Sequence, residues 1–150
     1  MPSHAHMRTV KAPRILECNL LPLRQGARQI TRLYDEHLAP HGVTASQFVI
    51  LALLYANPGM SMRELGDALT MERSSLLRAL KPLTRDGLVR TGRQAALGAR
   101  QFEFQLSEAG EAKYVQATPL WRAAQQAFDE VAGRALSADL RRQLAALGGG

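Results

Sequence analysis

One helix-opening device appears twice in close succession, as Thr44-Ala45-Ser46-Gln47 and Ser61-Met62-Arg63-Glu64. In each, a hydroxyl accepts from an amide three residues on, and the long polar side chain there returns a bond to the first residue's own amide. The first opens "FVILALLYA", which is apolar all round and so predicted to be central; it ends at "NPG". The second opens a short helix with Leu65, Ala68 and Leu69 facing inward. Only Thr70 and Met71 separate it from the next helix, so helix, tight turn and helix are fixed in order.

That next segment, "MERSSLLRALKPLTRDGLVR", has two faces. At 100° per residue from Leu76, Leu80 and Leu83 fall within about 40° of it, whereas Ser74, Arg78, Lys81 and Arg85 fall between about 140° and 200°. The leucines are expected to dock inward and the cations to look out. Pro82 removes the amide that would reach the Arg78 carbonyl, predicting a kink that leaves Arg85 less well aligned than Arg78. Past Gly87, "LVRTG" and "FEFQL" read as two strands of a hairpin, with Phe102, Phe104 and Leu106 alternating with polar residues and a basic tip at Arg93 and Arg100.

Flanking helices complete the pattern. Leu23, Ala27, Ile30, Tyr34 and Leu38 recur at helical steps from Leu20 onward, ending before Pro40 and Gly42. Ser107 is placed to cap a long fifth helix carrying Leu120, Trp121, Ala124, Phe128 and Val131, with Pro119 as a kink. Ser137 is read as the cap of a last helix lined by Leu136, Leu140, Leu144 and Leu147. The fold class expected is mainly α with a small β-hairpin wing: a winged helix-turn-helix over about 44–106, with dimerisation helices at about 18–43 and 107–147. Residues 1–17, with His4 and His6, read as a flexible arm rather than a metal site. The apolar stripes of the first, fifth and last helices exceed what one small wing domain covers, which points to a homodimer.

A formal charge of +6 suits an acidic partner. The outward residues Arg73, Ser74, Ser75, Arg78 and Lys81, joined by Arg93 and Arg100 at the wing, are therefore expected to contact double-stranded DNA, because such a helix fits the major groove, about 12 Å wide. No apolar run approaches the ~20 residues that cross a bilayer, and the N-terminal stretch lacks a signal-type apolar region, so the expected location is cytoplasmic with no membrane partner. A single cysteine, Cys18, excludes an internal disulfide framework. No phosphate loop, dinucleotide glycine pattern, HExxH or nucleophile elbow occurs, so neither enzymatic activity nor a cofactor nor a metal is expected.

"LYDEHLAPHGVTASQFVILALL", "SMRELGDALTMERSSLLRALKPLTRDGLV" and "RQFEFQLSEAG", in this order, resemble the MarR (multiple antibiotic resistance regulator) family of winged-helix transcription factors. The resemblance implies a sequence-specific regulator of repressor type that grips a pseudo-palindromic operator as a homodimer and is released by a phenolic or aromatic acid. It makes "RSSLLRALK" the recognition helix and Arg100 a wing arginine entering the minor groove. Gly98 stands where the family often keeps an aspartate bracing that arginine, so a looser wing is expected. Between the dimer helices and the wing domain the resemblance implies an effector pocket, with Tyr34, His37, Phe48 and Trp121 as lining and Arg28 meeting a carboxylate. Peroxide-sensing members carry a reactive cysteine near Cys18 and a tyrosine matching Tyr34 that bonds to the thiol, which keeps an oxidant-sensing regulator as an alternative. A non-specific architectural DNA binder is the other.

Overall fold

A computed structural model describes residues 17–93 and 102–148. The elements are α1 (Leu20–Leu38), a 3-10 turn (Ala39–His41), α2 (Ala45–Ala56), β1 (Met60–Ser61), α3 (Met62–Leu69), α4 (Arg73–Arg85), β2 (Val89–Arg93), β3 (Phe102–Leu106), α5 (Glu108–Ala132) and α6 (Arg134–Gly148). This is a winged-helix architecture, helical but for one small antiparallel sheet.

Local chemistry sets the element ends. Thr44 accepts from the Gln47 amide at 3.2 Å while its own amide donates to Gln47 Oε1 at 3.0 Å. Ser61 and Glu64 make the same reciprocal pair at 3.1 and 2.7 Å. A further bond braces α2 from outside: the Ala45 amide donates to Asp35 Oδ1 at 2.7 Å, so a carboxylate of α1 meets the positive end of α2. Gly42 closes the 3-10 turn at φ 65°, backbone that costs glycine little.

Within α4, Leu76, Leu80 and Leu83 are buried, as the spacing predicts. Burying each contributes about 1.5–3 kcal/mol, and together they lock the rotation of the helix about its axis. They join Leu38, Ile50, Leu51, Leu54, Leu65, Val89, Phe104 and Leu106 in one core that spans the helices and the sheet.

Several expectations need correcting. The sheet has three strands, ordered β1-β3-β2, because Met60 and Ser61 pair with Phe104 and Glu103; two residues before a capped helix are too few to show alternation. α2 is not surrounded: Phe48, Ile50, Leu51 and Leu54 are buried, but Val49 and Tyr55 are exposed. Ala68 is exposed, since a short helix packs only a narrow stripe and Leu65 fills it. α4 and α5 each continue as helix past Pro82 and Pro119, the two expected kink sites.

Ser137 is not a cap. α6 begins at Arg134, and Ser137 lies one turn inside it, 2% exposed, where it accepts from Arg141 Nη1 at 2.9 Å. It belongs to a strap across three helices. Tyr34 Oη of α1 donates to Gln125 Oε1 of α5 at 2.5 Å, Gln125 Nε2 donates to Asp129 Oδ1 at 3.0 Å, and the Ser137 hydroxyl bonds the same carboxylate from α6.

The wing is fastened at its root. Ser107 Oγ donates to the Gly87 carbonyl at 2.5 Å and accepts from the Gly110 amide at 3.0 Å, while the Ser107 amide donates to the Leu88 carbonyl at 3.0 Å. Gly110 makes this approach feasible. A Cβ there would clash with the Leu88 carbonyl oxygen.

Candidate nucleic-acid interface

α3, the turn through Thr70, Met71 and Glu72, and α4 form a helix-turn-helix, with the sheet packed behind α4. Thr70 carries the sharp bend at φ 51°, and the Met71 amide closes the turn on the Gly66 carbonyl at 2.9 Å. With the leucines inward, Arg73, Ser74, Arg78 and Lys81 are exposed along one side of α4; Ser75 is half-buried. Arg85 is exposed too, but its Nε donates to Asp86 Oδ1 at 3.1 Å. Among the described residues no carboxylate pairs with Arg73, Arg78 or Lys81, which leaves three cations of α4 free for an external anion.

Arg93 ends β2, its backbone in register with Phe102 of β3. Its side chain, the wing tip with Gly98 and Arg100, and the arm through residue 16 lie outside the described residues.

The effector candidates divide. Phe48 stacks on Trp121 at 5.9 Å and on Tyr114 at 5.5 Å, and Tyr55 meets Tyr114 at 4.5 Å, giving an aromatic ladder between α2 and α5. Tyr34 and Trp121 pack against the core beside it. Tyr114 and Tyr55 were missed by sequence reading, although Tyr114 lies seven residues, two turns, before Trp121 on the same face of α5. His37 Nδ1 is 2.7 Å from the Leu33 carbonyl, a bond within α1. Arg28 is elsewhere: it lines a shallow hollow of about 350 Å³ with Ala27, Thr31 and Arg32 on the exposed side of α1.

Burial and the nearby Asp129 carboxylate push the Tyr34 phenol above its ordinary range. The Asp129 carboxyl is held low by the Ser137 hydrogen bond, with help from Gln125, Arg141 and Arg134. Both groups therefore keep the proton state that the strap requires near neutrality. Cys18 is half-buried and lies two residues ahead of α1, not in its first turn. Within one protomer the Tyr34 hydroxyl is bonded to Gln125.

A cleft of about 630 Å³ opens between α4 and the sheet, floored by Leu77, Leu80, Phe102 and Phe104. No single helix among the described residues is long and apolar enough to cross a membrane.

The sequence pattern of the MarR family matches residues 41–98, which take in α2 through β2. The HTH-type transcriptional regulator TtmR of Methylorubrum extorquens (strain PA1) is 34% identical over 67 residues, 45% of this chain. The chain spans about a third of TtmR's length. The Mycobacterium tuberculosis transcriptional regulator MosR, solved in complex with DNA, is 36% identical at a TM-score of 0.78, with 87% of this chain and 93% of that one covered. The transcriptional repressor CouR, bound to a 23-mer DNA duplex, is 25% identical at a TM-score of 0.79, covering 92% and 97%. CouR bound to p-coumaroyl-CoA shares the fold at 24% identity and a TM-score of 0.80, over 93% of this chain and 98% of that one. The fold that these likenesses share carries, in this chain, a capped helix-turn-helix with a cationic outer face on its second helix, and the chain belongs to the MarR family of DNA-binding transcriptional regulators.

Proposed function

We propose that the chain is a cytoplasmic repressor that reads a pseudo-palindromic operator as a homodimer and is released by an aromatic acid. The observation that carries this reading is the rotation of α4: with three leucines buried, Arg73, Ser74, Arg78 and Lys81 are exposed, and among the described residues no carboxylate pairs with the three cations. Arg78, at mid-helix, is assigned to a base edge, with Ser74 and Lys81 beside it. Ser75, Arg93 and Arg100 are assigned to phosphates and the wing groove. Apolar side chains exposed on α1, α5 and α6, among them Leu20, Leu23, Val131, Leu136 and Leu147, support a second copy as their cover. Two-fold symmetry would then set the two α4 helices ~34–36 Å apart, one turn of DNA. The α1, α5 and α6 helices are assigned to dimerisation, and residues 44–106 to reading. The aromatic ladder of Phe48, Tyr55, Tyr114 and Trp121, with Tyr34 packed against the same core, supports the effector class.

The test is duplex binding by fluorescence anisotropy across a salt series, with the chain's own upstream region and with a scrambled duplex. The parent is expected to prefer the upstream region, log K falling by roughly 0.9 per phosphate neutralised. Arg78→Ala is expected to lose about 1–3 kcal/mol on the specific site alone. Equal losses on both duplexes would favour an architectural binder without sequence choice.

A further inference from the structure

We propose that Leu77 reads the C5-methyl group of a thymine in the major groove and so sets one base of the sequence that α4 prefers. This rests on the reading of α4 given above and adds to it a residue without charge. Leu77 is 47% exposed, whereas Leu76, Leu80 and Leu83 of the same helix are buried. At 100° per residue from Leu76 it stands at about 100°, between Arg73 at about 60° and Lys81 at about 140°. Those two cations are its neighbours one turn before and one turn after. Both are exposed, and among the described residues no carboxylate pairs with either. Ser74 at about 160° and Arg78 at about 200° continue the same face.

That setting restricts what can cover the leucine. An apolar protein surface would bury Leu77 but strip water from Arg73 and Lys81 and return nothing to them. Duplex DNA supplies phosphates for the cations and, between them, base edges for the residues in the groove. Of the four bases thymine alone carries a methyl group on its major-groove edge. Over a polar edge, leucine displaces water without returning a hydrogen bond; over thymine it buries a methyl against its own. A gain at one base and a penalty at the others are the two halves of selectivity. Ser74 and Arg78 bring hydrogen-bond donors to the same groove, so the face reads one base by apolar contact and its neighbours by polar contact. In a two-fold pair the same thymine is read once in each half-site.

The probe is the chain's own upstream duplex with thymines replaced, at matching positions of both half-sites in turn, by deoxyuridine, which lacks the methyl group and keeps every hydrogen-bonding group. Anisotropy at one fixed salt concentration reads the affinity. For the parent, one matched pair of positions is expected to lose about fourfold per methyl removed, about 16-fold for the two. Leu77→Ala, on an exposed helix position that alanine favours, should bind the thymine duplex more weakly by at least the same factor. It should then bind thymine and uracil duplexes alike, because the removed methyl no longer has a partner. Leu77→Met, similar in volume and still apolar, should keep the preference for thymine. A parent indifferent to uracil at every position overturns the proposal, and so does Leu77→Ala that retains the parent's uracil penalty; both leave α4 as the reading helix. A parent that binds upstream and scrambled duplexes equally removes sequence reading by α4 and this proposal with it. The uracil series needs no variant, so the folding of Leu77→Ala does not decide the test.

Discussion

Thr70 holds left-handed backbone at φ 51°, and it alone does so among the described residues other than glycine. A β-branched side chain there costs roughly 1–2 kcal/mol relative to glycine. The position is the C-cap of α3, its amide reaching the Asp67 carbonyl, and its side chain is exposed with no hydrogen bond of its own. Nothing is therefore lost by removing the side chain except the stiffness it gives the unfolded chain, about 0.4–1 kcal/mol. Thr70→Gly is expected to raise stability by about 0.5–1 kcal/mol in urea unfolding and leave duplex affinity unchanged, since the turn keeps its shape. A loss of stability would mean that the strain is relieved by neighbours. Glycine was not needed for this turn to form, which is why the sequence shows helix, Thr70-Met71 and helix but gives no sign of where the bend is concentrated.

At the scale of elements, what could be read ahead of the structure was whatever repeats at short range. Both capping boxes, the leucine face of α4 and the alternation in β3 depend on residues two to four apart, and each stands where the spacing puts it. Contacts between distant residues left no such trace. Asp35, which the apolar spacing of α1 does not single out, caps α2 across the interhelical corner. Ser137 looked like a cap because serine favours that position, whereas its hydroxyl is spent on Asp129 and Arg141 across an interhelical seam. Gly110 drew no notice. It is nevertheless the point at which α5 touches the root of the wing, with the Leu88 carbonyl where a Cβ would be. Gly110→Ala forces backbone apart rather than a flexible side chain, so it is expected to destabilise by at least about 1–3 kcal/mol, the cost of overpacking. Urea unfolding measures it, and a change within about 0.5 kcal/mol would show that Leu88 yields freely.

For the whole molecule, the charged face and the apolar faces pose one question: what does each end of the structure meet? The α4 side is polar and cationic, as a DNA partner requires. The α1, α5 and α6 side is different, with Val131 89% and Leu147 75% exposed and Leu140 and Leu144 also uncovered at helical spacing. Closed two-fold pairing would cover apolar surface of that extent, with the same patch on both copies. The three-helix strap through Tyr34, Gln125, Asp129 and Ser137 then has a purpose at this scale: it fixes the angle among the helices that carry the apolar patch. Leu144→Glu tests the arrangement without disturbing the core, because Leu144 is 43% exposed in the single protomer and a glutamate there reaches water. In a dimer the same carboxylate is buried against its partner's leucines at a cost of several kcal/mol. Light scattering at micromolar concentration should show the molar mass drop from twice to once the chain's 16.4 kDa. Affinity for a two-half-site duplex should fall by about 100-fold or more as the second reading helix loses its tether. A variant of unchanged mass and affinity would mean that α6 lies outside the dimer contact, and a parent already monomeric would remove the two-fold arrangement altogether.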